Sequence, residues 1–158
     1  MRFALIDQIT ELEAGKAIKA VKNVSLAEEY LQDHFPGFAV LPGVMMLETM
    51  VQAGAWLIRY TDDFEHSTIL LKQARALKFN NFVTPGQTLT VDLKVHKQSD
   101  GEYTMKASGA VGDIPTVSAR LTLDCFNLAD RDPHLAKNDE RIRTHMRDLF
   151  GQIRADAR

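Results

Sequence analysis

Residues 33–53 read DHFPGFAVLPGVMMLETMVQA, and this stretch decides how the rest of the chain is interpreted. His34 stands in a stretch rich in proline and glycine, which predicts a turn. Glu48 follows as the lone carboxylate of the apolar helical run that begins after Pro42. Burying a carboxylate is costly unless it is protonated, paired or used chemically. The stretch therefore predicts an acid/base site beside an apolar helix.

The composition is typical of one soluble domain. The chain has 158 residues, of which 45% are hydrophobic and 25% charged, and its formal net charge is −2. The lack of a basic excess argues against nucleic-acid binding. No apolar run reaches the roughly 18 residues of a membrane span, and the first residues do not resemble a signal peptide. We therefore expect a cytoplasmic protein that does not contact membranes.

Neither a metal nor a redox cofactor is expected. Cys125 is the only cysteine, which excludes an intrachain disulfide, and no cysteine/histidine cluster has the spacing of a zinc site. Cys125 is interpreted as a small apolar residue on a strand. Four other histidines lack a setting like that of His34 and are expected to be solvated or structural: His66, His96, His134 and His145.

The order of the predicted elements indicates an α+β fold. Two β-like runs open the chain at residues 5–13 and 16–24, and a helix is predicted over residues 43–59. Four further strands are predicted between turn residues, over residues 68–77, 88–96, 103–111 and 116–125. Because the helix is apolar almost all round, we expect an antiparallel sheet that curls around it.

The last thirty residues differ from the rest of the chain. Ile142, Met146, Leu149 and Ile153 are spaced as on one face of a helix, and mixed charges occupy the other faces. We predict one domain over residues 1–126 and a C-terminal helical extension over residues 127–158. The extension would dock on the domain or on a neighbouring subunit, and a specialised partner-binding arm is the alternative.

Several motifs stand in the order found in one known family. The chain resembles the (3R)-hydroxyacyl-acyl-carrier-protein dehydratases of the FabZ and FabA type, which have the hot-dog fold. The central motifs are His34-Phe35-Pro36-Gly37, Pro42-Gly43-Val44, and Glu48 with Gln52. Further matches are Leu5-Ile6-Asp7, Val21-Lys22-Asn23-Val24, Lys78-Phe79 and residues 83–89, so the resemblance spans roughly residues 2–125.

The resemblance implies elimination of water from a 3-hydroxyacyl thioester, which gives a trans-2-enoyl thioester as in fatty-acid synthesis. His34 would be the base, since imidazole is neutral and basic near neutral pH. Glu48 would protonate the departing hydroxyl, and its apolar neighbours favour the neutral acid. The Gly43 N–H would stabilise charge on the thioester carbonyl. Gln52, one turn after Glu48, would hold the carboxyl group.

Each of these residues has a structural alternative. His34 could be a loop histidine bonded to the backbone, and Glu48 could face solvent at an oligomer edge. Gly43 could serve only as a close-packing point, and Gln52 is the least specific of the four. The helical methionines Met45, Met46 and Met50 are predicted to line the core or an acyl tunnel.

The sequence departs from the family pattern at two places. Phe38-Ala39 replaces the usual polar or basic residue and proline, and Asn80-Asn81-Phe82 replaces basic residues after Lys78-Phe79. Both changes bear on acyl-chain preference and on docking of an acidic carrier protein, which clustered lysine and arginine would attract. The candidates for that docking surface are Lys72, Arg75 and Lys78.

The resemblance also implies an oligomer, because in this family the histidine and the acid of one site come from different subunits. We expect a homodimer, with a trimer of dimers as the larger form, and a substrate carried by acyl carrier protein or coenzyme A. Three alternatives stay open: a hot-dog acyl thioesterase, a non-catalytic acyl-binding or scaffolding subunit, and double-bond isomerisation, which usually has aspartate in place of Glu48.

Overall fold

A computed structural model describes residues 3–155 of the chain, as six strands, three α-helices and two short 3₁₀ helices. The strands and α-helices follow one another in this order: β1 (Gln8–Glu13), β2 (Ala17–Asn23), α1 (Tyr30–His34), α2 (Gly43–Thr61), β3 (Thr68–Phe79), β4 (Thr88–Ser99), β5 (Glu102–Val111), β6 (Ile114–Phe126) and α3 (Ala136–Ile153). The 3₁₀ helices, Leu128–Asp130 and Pro133–Leu135, connect β6 to α3.

The six strands form one antiparallel sheet in the order β1-β2-β4-β5-β6-β3. Along β4, β5 and β6 buried and less buried residues alternate, because successive side chains of a strand point to opposite faces. The buried face packs against α2, and β3 and β1 are the two edges. The predicted sheet wrapped around a central helix is confirmed.

Helix α2 approaches the sheet most closely at Gly54. A Cβ atom on Gly54 would lie 2.9 Å from Leu123 Cδ1, 3.1 Å from Met105 Sδ and 3.3 Å from Leu93 Cδ2. Residues 53–58 are all buried. Glycine therefore allows the middle of the helix to lie directly on the three central strands.

The first half of α2 is less enclosed than the sequence predicts. Val44, Glu48 and Gln52 recur every four residues and so share one face of the helix. Val44 is 68% exposed, and Glu48 and Gln52 are half-buried. Within residues 3–155 this stripe is left partly exposed, and the segment before β1 is hydrogen-bonded to its last member, Gln52.

The chain before β1 differs from the prediction as well. The strand begins at Gln8 rather than at residue 5, and residues 3–6 have no regular secondary structure. Leu5 and Ile6 are nevertheless buried, and the Leu5 N–H is bonded to the Gln52 side chain. In this segment, hydrogen bonds from the backbone to the Gln52 side chain of α2 thus take the place of the backbone hydrogen bonds of a strand.

Helix α3 docks on the domain of its own chain. The ring of Phe150 lies 6.0 Å from Trp56, 5.6 Å from Tyr60 and 5.7 Å from Phe64, measured between centroids. Arg147 adds a hydrogen bond of 2.6 Å from Nη2 to the carbonyl oxygen of Asp63. The helix therefore covers the C-terminal end of α2, opposite the end where α2 begins.

Asp139 fixes the start of α3. Its buried carboxylate accepts hydrogen bonds from the Ser67 hydroxyl and, at 2.9 Å each, from the N–H groups of Leu128 and Ala129. Burial raises the pKa of this carboxyl, but the three hydrogen bonds and the charge of Arg143 outweigh it and hold the pKa below its ordinary value of 3.8. Asp139 therefore stabilises the folded protein in its ionised form.

We expect Asp139→Asn to lower the free energy of unfolding at pH 7 by about 1.5–3 kcal/mol, the usual worth of hydrogen bonds to a charged group. Because the folded-state pKa is depressed, this stability is present above the unfolded pKa and is lost as pH falls through the folded pKa. The difference in free energy of unfolding between wild type and variant should therefore decrease as pH is lowered from 7 to 3. Urea titrations at each pH measure this difference. Asp148→Asn, on the exposed face of α3, is the control. If Asp139→Asn leaves the free energy of unfolding at pH 7 unchanged, the assignment is contradicted.

Candidate active site

His34 is the last residue of α1 rather than part of the predicted turn, which begins at the next residue. It lies beside the N-terminus of α2. Its side chain is exposed and contacts the ring of Phe35 at a centroid distance of 4.3 Å. Together with Gly43 it lines a cavity of about 350 Å³. The rest of the lining is largely apolar and comes from both sides of the α2 N-terminus and from the loop after β3: Phe35, Val40, Leu41, Met46, Phe79, Asn80, Asn81 and Phe82.

Gly43 is the first residue of α2 and follows Pro42, which precedes the helix with an extended conformation. The first N–H groups of a helix have no intrahelical acceptor and carry the positive end of the helix dipole. A Cβ atom at Gly43 would lie 3.1 Å from the Phe79 ring. Glycine thus permits close packing at a point where a backbone donor also borders the cavity.

The hydrogen bond that the sequence predicts between Gln52 and Glu48 is present. Gln52 Nε2 donates to Glu48 Oε1 at 3.0 Å and to the carbonyl oxygen of Phe3 at 2.8 Å. The N–H of Leu5 donates to Gln52 Oε1 at 2.9 Å. The segment before β1 therefore fixes Gln52, and Gln52 in turn fixes Glu48.

The Leu5 N–H also determines which way the Gln52 amide points. A backbone N–H can only donate, so it must face the amide oxygen, and the amide nitrogen must face Glu48. Glu48 Oε1 is then occupied as an acceptor. None of the hydrogen bonds described for residues 3–155 involves the other oxygen, Oε2.

One protomer does not bring all the predicted residues into one cavity. His34 and Gly43 line the same cavity, whereas Glu48 and Gln52 do not and lie on the open stripe of α2. The four residues thus form two separate groups within one chain. Each group is accessible from outside the protomer.

The two departures from the family pattern touch each other. The rings of Phe38 and Phe82 meet edge to face at a centroid distance of 5.5 Å, and both are at least half exposed. Asn81 is bonded through Nδ2 to the carbonyl oxygen of Pro115 at 2.7 Å. The rim of the His34 cavity is therefore neutral and aromatic, a feature that sequence analysis missed because it could not show that the two changes are neighbours.

The three candidates for carrier docking do not stay together. Arg75 and Lys78 line one groove of about 750 Å³ on the outer face of the sheet. Lys72 does not line it, and its ammonium group is paired with Glu102. Three cations that the sequence analysis did not single out join the groove instead: Lys94, Lys106 and Arg120.

Cys125 is buried, and burial raises the pKa of its thiol to about 12. It packs as an apolar core residue. Within residues 3–155 the structure contains no group of three histidine, cysteine or acidic side chains placed to hold a metal ion, and none of the helices described there is long and apolar enough to cross a membrane.

Comparisons with known proteins point to one family. The family described as "FabA-like domain" matches residues 1–117, a match that ends inside β6 and excludes α3. The chain is 37% identical over 117 residues to the 3-hydroxyacyl-[acyl-carrier-protein] dehydratase FabZ of Levilactobacillus brevis, covering 74% of this chain and 79% of that protein. It is 32% identical over 120 residues to FabZ of Wolbachia pipientis wMel, covering 76% and 84%.

A solved structure confirms the hot-dog fold. The dehydratase heterocomplex ApeI:P from Xenorhabdus doucetiae superimposes with a TM-score of 0.69 and 17% identity, over 84% of this chain and 90% of that chain. At this identity the likeness shows the fold alone. Since the family match covers most of the chain and curated relatives exceed 30% identity, this protein belongs to the FabA-like family.

Proposed function

We propose that this protein is a hydro-lyase that eliminates water from 3-hydroxyacyl thioesters to give trans-2-enoyl thioesters in fatty-acid biosynthesis. A single observation carries the proposal: three groups suited to this reaction lie within residues 34–48. A histidine and a helix N-terminus share a cavity, and a carboxyl group with one free oxygen lies one turn further along the same helix. The FabZ relatives, 79–84% of whose length is matched, carry the name of this reaction.

The chemistry follows from the three groups. The neutral imidazole of His34 takes the proton from Cα of the substrate, and the electron pair forms the Cα–Cβ double bond as the Cβ–O bond breaks. The Gly43 N–H stabilises the negative charge that develops on the thioester oxygen. Glu48 gives its proton from Oε2 to the leaving hydroxyl, which departs as water. No electron is gained or lost, so the reaction needs no redox cofactor.

We propose that two copies of the chain form the complete site. His34 and Glu48 are not part of one cavity within the protomer, and Val44, beside Glu48 on the open stripe, leaves apolar surface exposed. Four exposed phenylalanines surround the His34 cavity, and a partner surface would cover them: Phe35, Phe38, Phe79 and Phe82. The assembly we propose is a homodimer or a trimer of dimers. It acts in the cytoplasm on carrier-linked substrate.

Replacing His34 by Ala or Glu48 by Gln should each lower kcat about 10²–10⁴-fold, the usual contribution of a general acid or base. Formation of the conjugated enoyl thioester from a 3-hydroxyacyl thioester would be followed by absorbance. His145→Ala, on the exposed face of α3, is the matched control and should keep wild-type activity. Near wild-type dehydration by Glu48→Gln would show that another group supplies the proton.

Mixing the two inactive variants tests the shared site directly. A heterodimer of His34→Ala and Glu48→Gln subunits has one site with both wild-type residues and one site with neither. Subunit exchange at equal amounts should therefore restore up to about a quarter of wild-type activity. If the mixture stays inactive after mass spectrometry shows heterodimers, each site must take both residues from one chain.

Gln52→Glu should lower kcat about tenfold or more, because a carboxylate cannot donate to Glu48 Oε1 and adds a second negative charge beside it. Gln52→Met, which keeps the volume and removes both the donor and the added charge, should be less impaired. Equal activity of both variants and wild type would show that Gln52 does not position the acid.

The thioesterase alternative is tested in the same assays. A thioesterase releases free thiol from an acyl thioester, which a thiol reagent detects, whereas a dehydratase leaves the thioester bond intact. Thiol release without enoyl product would replace the proposed function by hydrolysis. Binding of substrate without either product would support the non-catalytic alternative.

A further inference from the structure

Two of the motifs that carry the family resemblance have no part in the chemistry described above. Leu5-Ile6-Asp7 lies before β1, and Val21-Lys22-Asn23-Val24 lies at the end of β2. The Asn23 N–H donates to Asp7 Oδ2 at 2.6 Å, and the Asp7 N–H donates to the carbonyl oxygen of Val21 at 2.9 Å. The two motifs are therefore joined to each other, and we call residues 3–7 the segment 3–7.

His34 is not held in place by hydrogen bonds of its own. Its side chain is exposed, and none of the hydrogen bonds described for residues 3–155 involves it. The helix that carries it, α1, has only five residues, which is fewer than an isolated helix needs to form in water. The position of His34 is therefore set by the contacts that hold α1 against the domain.

An ion pair holds the turn in which α1 begins. Lys22 is only 6% exposed, and its Nζ donates to Glu28 Oε1 at 2.8 Å and lies 3.7 Å from Asp7 Oδ2. The carbonyl oxygen of Glu28 accepts a hydrogen bond of 3.1 Å from the N–H of Leu31, which is buried in α1. A buried ammonium group is costly unless it is paired, so Lys22 keeps Glu28 beside Asp7.

A ring contact joins α1 to the segment 3–7 directly. The rings of Phe3 and Tyr30, the first residue of α1, meet edge to face at a centroid distance of 5.9 Å. The Tyr30 hydroxyl is buried without a hydrogen-bond partner among residues 3–155. Packing of the ring, and not a hydrogen bond of the hydroxyl, therefore holds the Tyr30 side chain.

The same segment holds the acid through its backbone. The carbonyl oxygen of Phe3 accepts from Gln52 Nε2, and the N–H of Leu5 donates to Gln52 Oε1. Gln52 in turn donates to Glu48. The segment 3–7 thus contacts the supports of both reacting groups, with side chains on the side of the base and with backbone on the side of the acid.

We propose that the segment 3–7 positions both His34 and Glu48, so that a displacement of this segment misplaces the base and the acid together. The inference rests on the proposed function. In a site formed by two copies of the chain, one copy supplies His34 and the other supplies Glu48. Each segment then serves the base of one site and the acid of the other, and so links the two sites of the dimer.

The test uses dimers that have a single working site. The base chain carries Glu48→Gln and keeps His34, whereas the acid chain carries His34→Ala and keeps Glu48. Different affinity tags on the two chains allow the mixed dimer to be isolated. A third substitution is then placed in one chain or in the other, and kcat and KM are measured for the working site.

Variants that act on one reacting group should depend on the chain that carries them. Phe3→Ala removes the ring contact with Tyr30 and keeps the carbonyl that Gln52 uses. Its loss in kcat should be at least about fivefold larger in the base chain than in the acid chain, because a small misplacement of a reacting group slows the chemical step. Glu28→Ala should show the same order, and Gln52→Glu should show the opposite order.

A variant that loosens the whole segment should act from either chain. Leu5, 1% exposed, anchors the segment in the core. Leu5→Val should lower kcat about three- to tenfold in both placements, with KM changed less than about twofold because positioning acts on the chemical step.

Two control variants make similar changes far from the segment. Ile114→Ala, at a residue 59% exposed at the start of β6, is the control for Phe3→Ala. Ile69→Val, at a residue 8% exposed near the start of β3, is the control for Leu5→Val. Both valine variants should lower Tm by roughly 1–6 °C and stay folded. Neither control should change kcat more than about twofold from either chain.

Three results in an active enzyme would overturn the proposal. Equal losses from Phe3→Ala in the two placements would show that the ring only stabilises the fold. Unchanged kcat in both placements would show that it does not position the base. A loss from Leu5→Val in one placement alone would show that the segment does not serve both groups.

The His34 ring resonance separates this inference from the proposed function. In protein with isotope-labelled histidine, NMR assigns this resonance by its absence from His34→Ala. Phe3→Ala and Glu28→Ala should shift or broaden it, and Ile114→Ala should leave it unchanged. A moved resonance in a protein that dehydrates no thioester supports the positioning, and the proposed function alone then fails. An unmoved resonance in a protein that dehydrates its substrate overturns the inference and leaves the function standing.

Discussion

The close contact of α2 with the middle of the sheet is the constraint on which the rest of the structure depends. Gly54 lets the helix backbone approach Leu93, Met105 and Leu123 to distances at which no side chain fits. With its middle fixed there, the helix extends in both directions to the ends of the sheet. Its first turn reaches the cavity at His34, and its last turn reaches the aromatic cluster around Phe150. Fold and site are therefore set by the same packing.

Glu48 is held through Gln52 mainly by backbone groups. Gln52 is bonded to the carbonyl of the exposed Phe3 and to the N–H of the buried Leu5, and both of these partners are backbone groups rather than flexible side chains. A site is held more precisely when its supporting hydrogen bonds come from fixed groups. Residues 3–5 thus help to hold Glu48 although none of them lines the His34 cavity. The family resemblance at Leu5-Ile6-Asp7 is the sequence signal that pointed to this segment.

Local sequence patterns were enough to predict the strands, except for the first residues of β1. They also predicted the start of α2 after Pro42 and the contact between Glu48 and Gln52, because each depends on residues within a few positions of one another. The half-burial of Glu48 could not be predicted in this way, since it depends on which elements cover the open stripe. The contact between Phe38 and Phe82 also joins segments that are distant in sequence. Such contacts depend on the sheet order, which no local pattern contains.

The positions of the basic residues on the outer face of the sheet could not be predicted from local sequence either. Strand alternation predicts opposite faces for Arg75 and Lys78, and only the bulge at Ala76 reverses this. Lys72 was grouped with them by sequence, but the sheet places Glu102 beside it and neutralises its charge.

After the bulge, alternation resumes, so Lys78 faces the outer groove and Phe79 faces the cavity. One step along β3 therefore separates the positively charged groove on the outer face of the sheet from the wall of the His34 cavity.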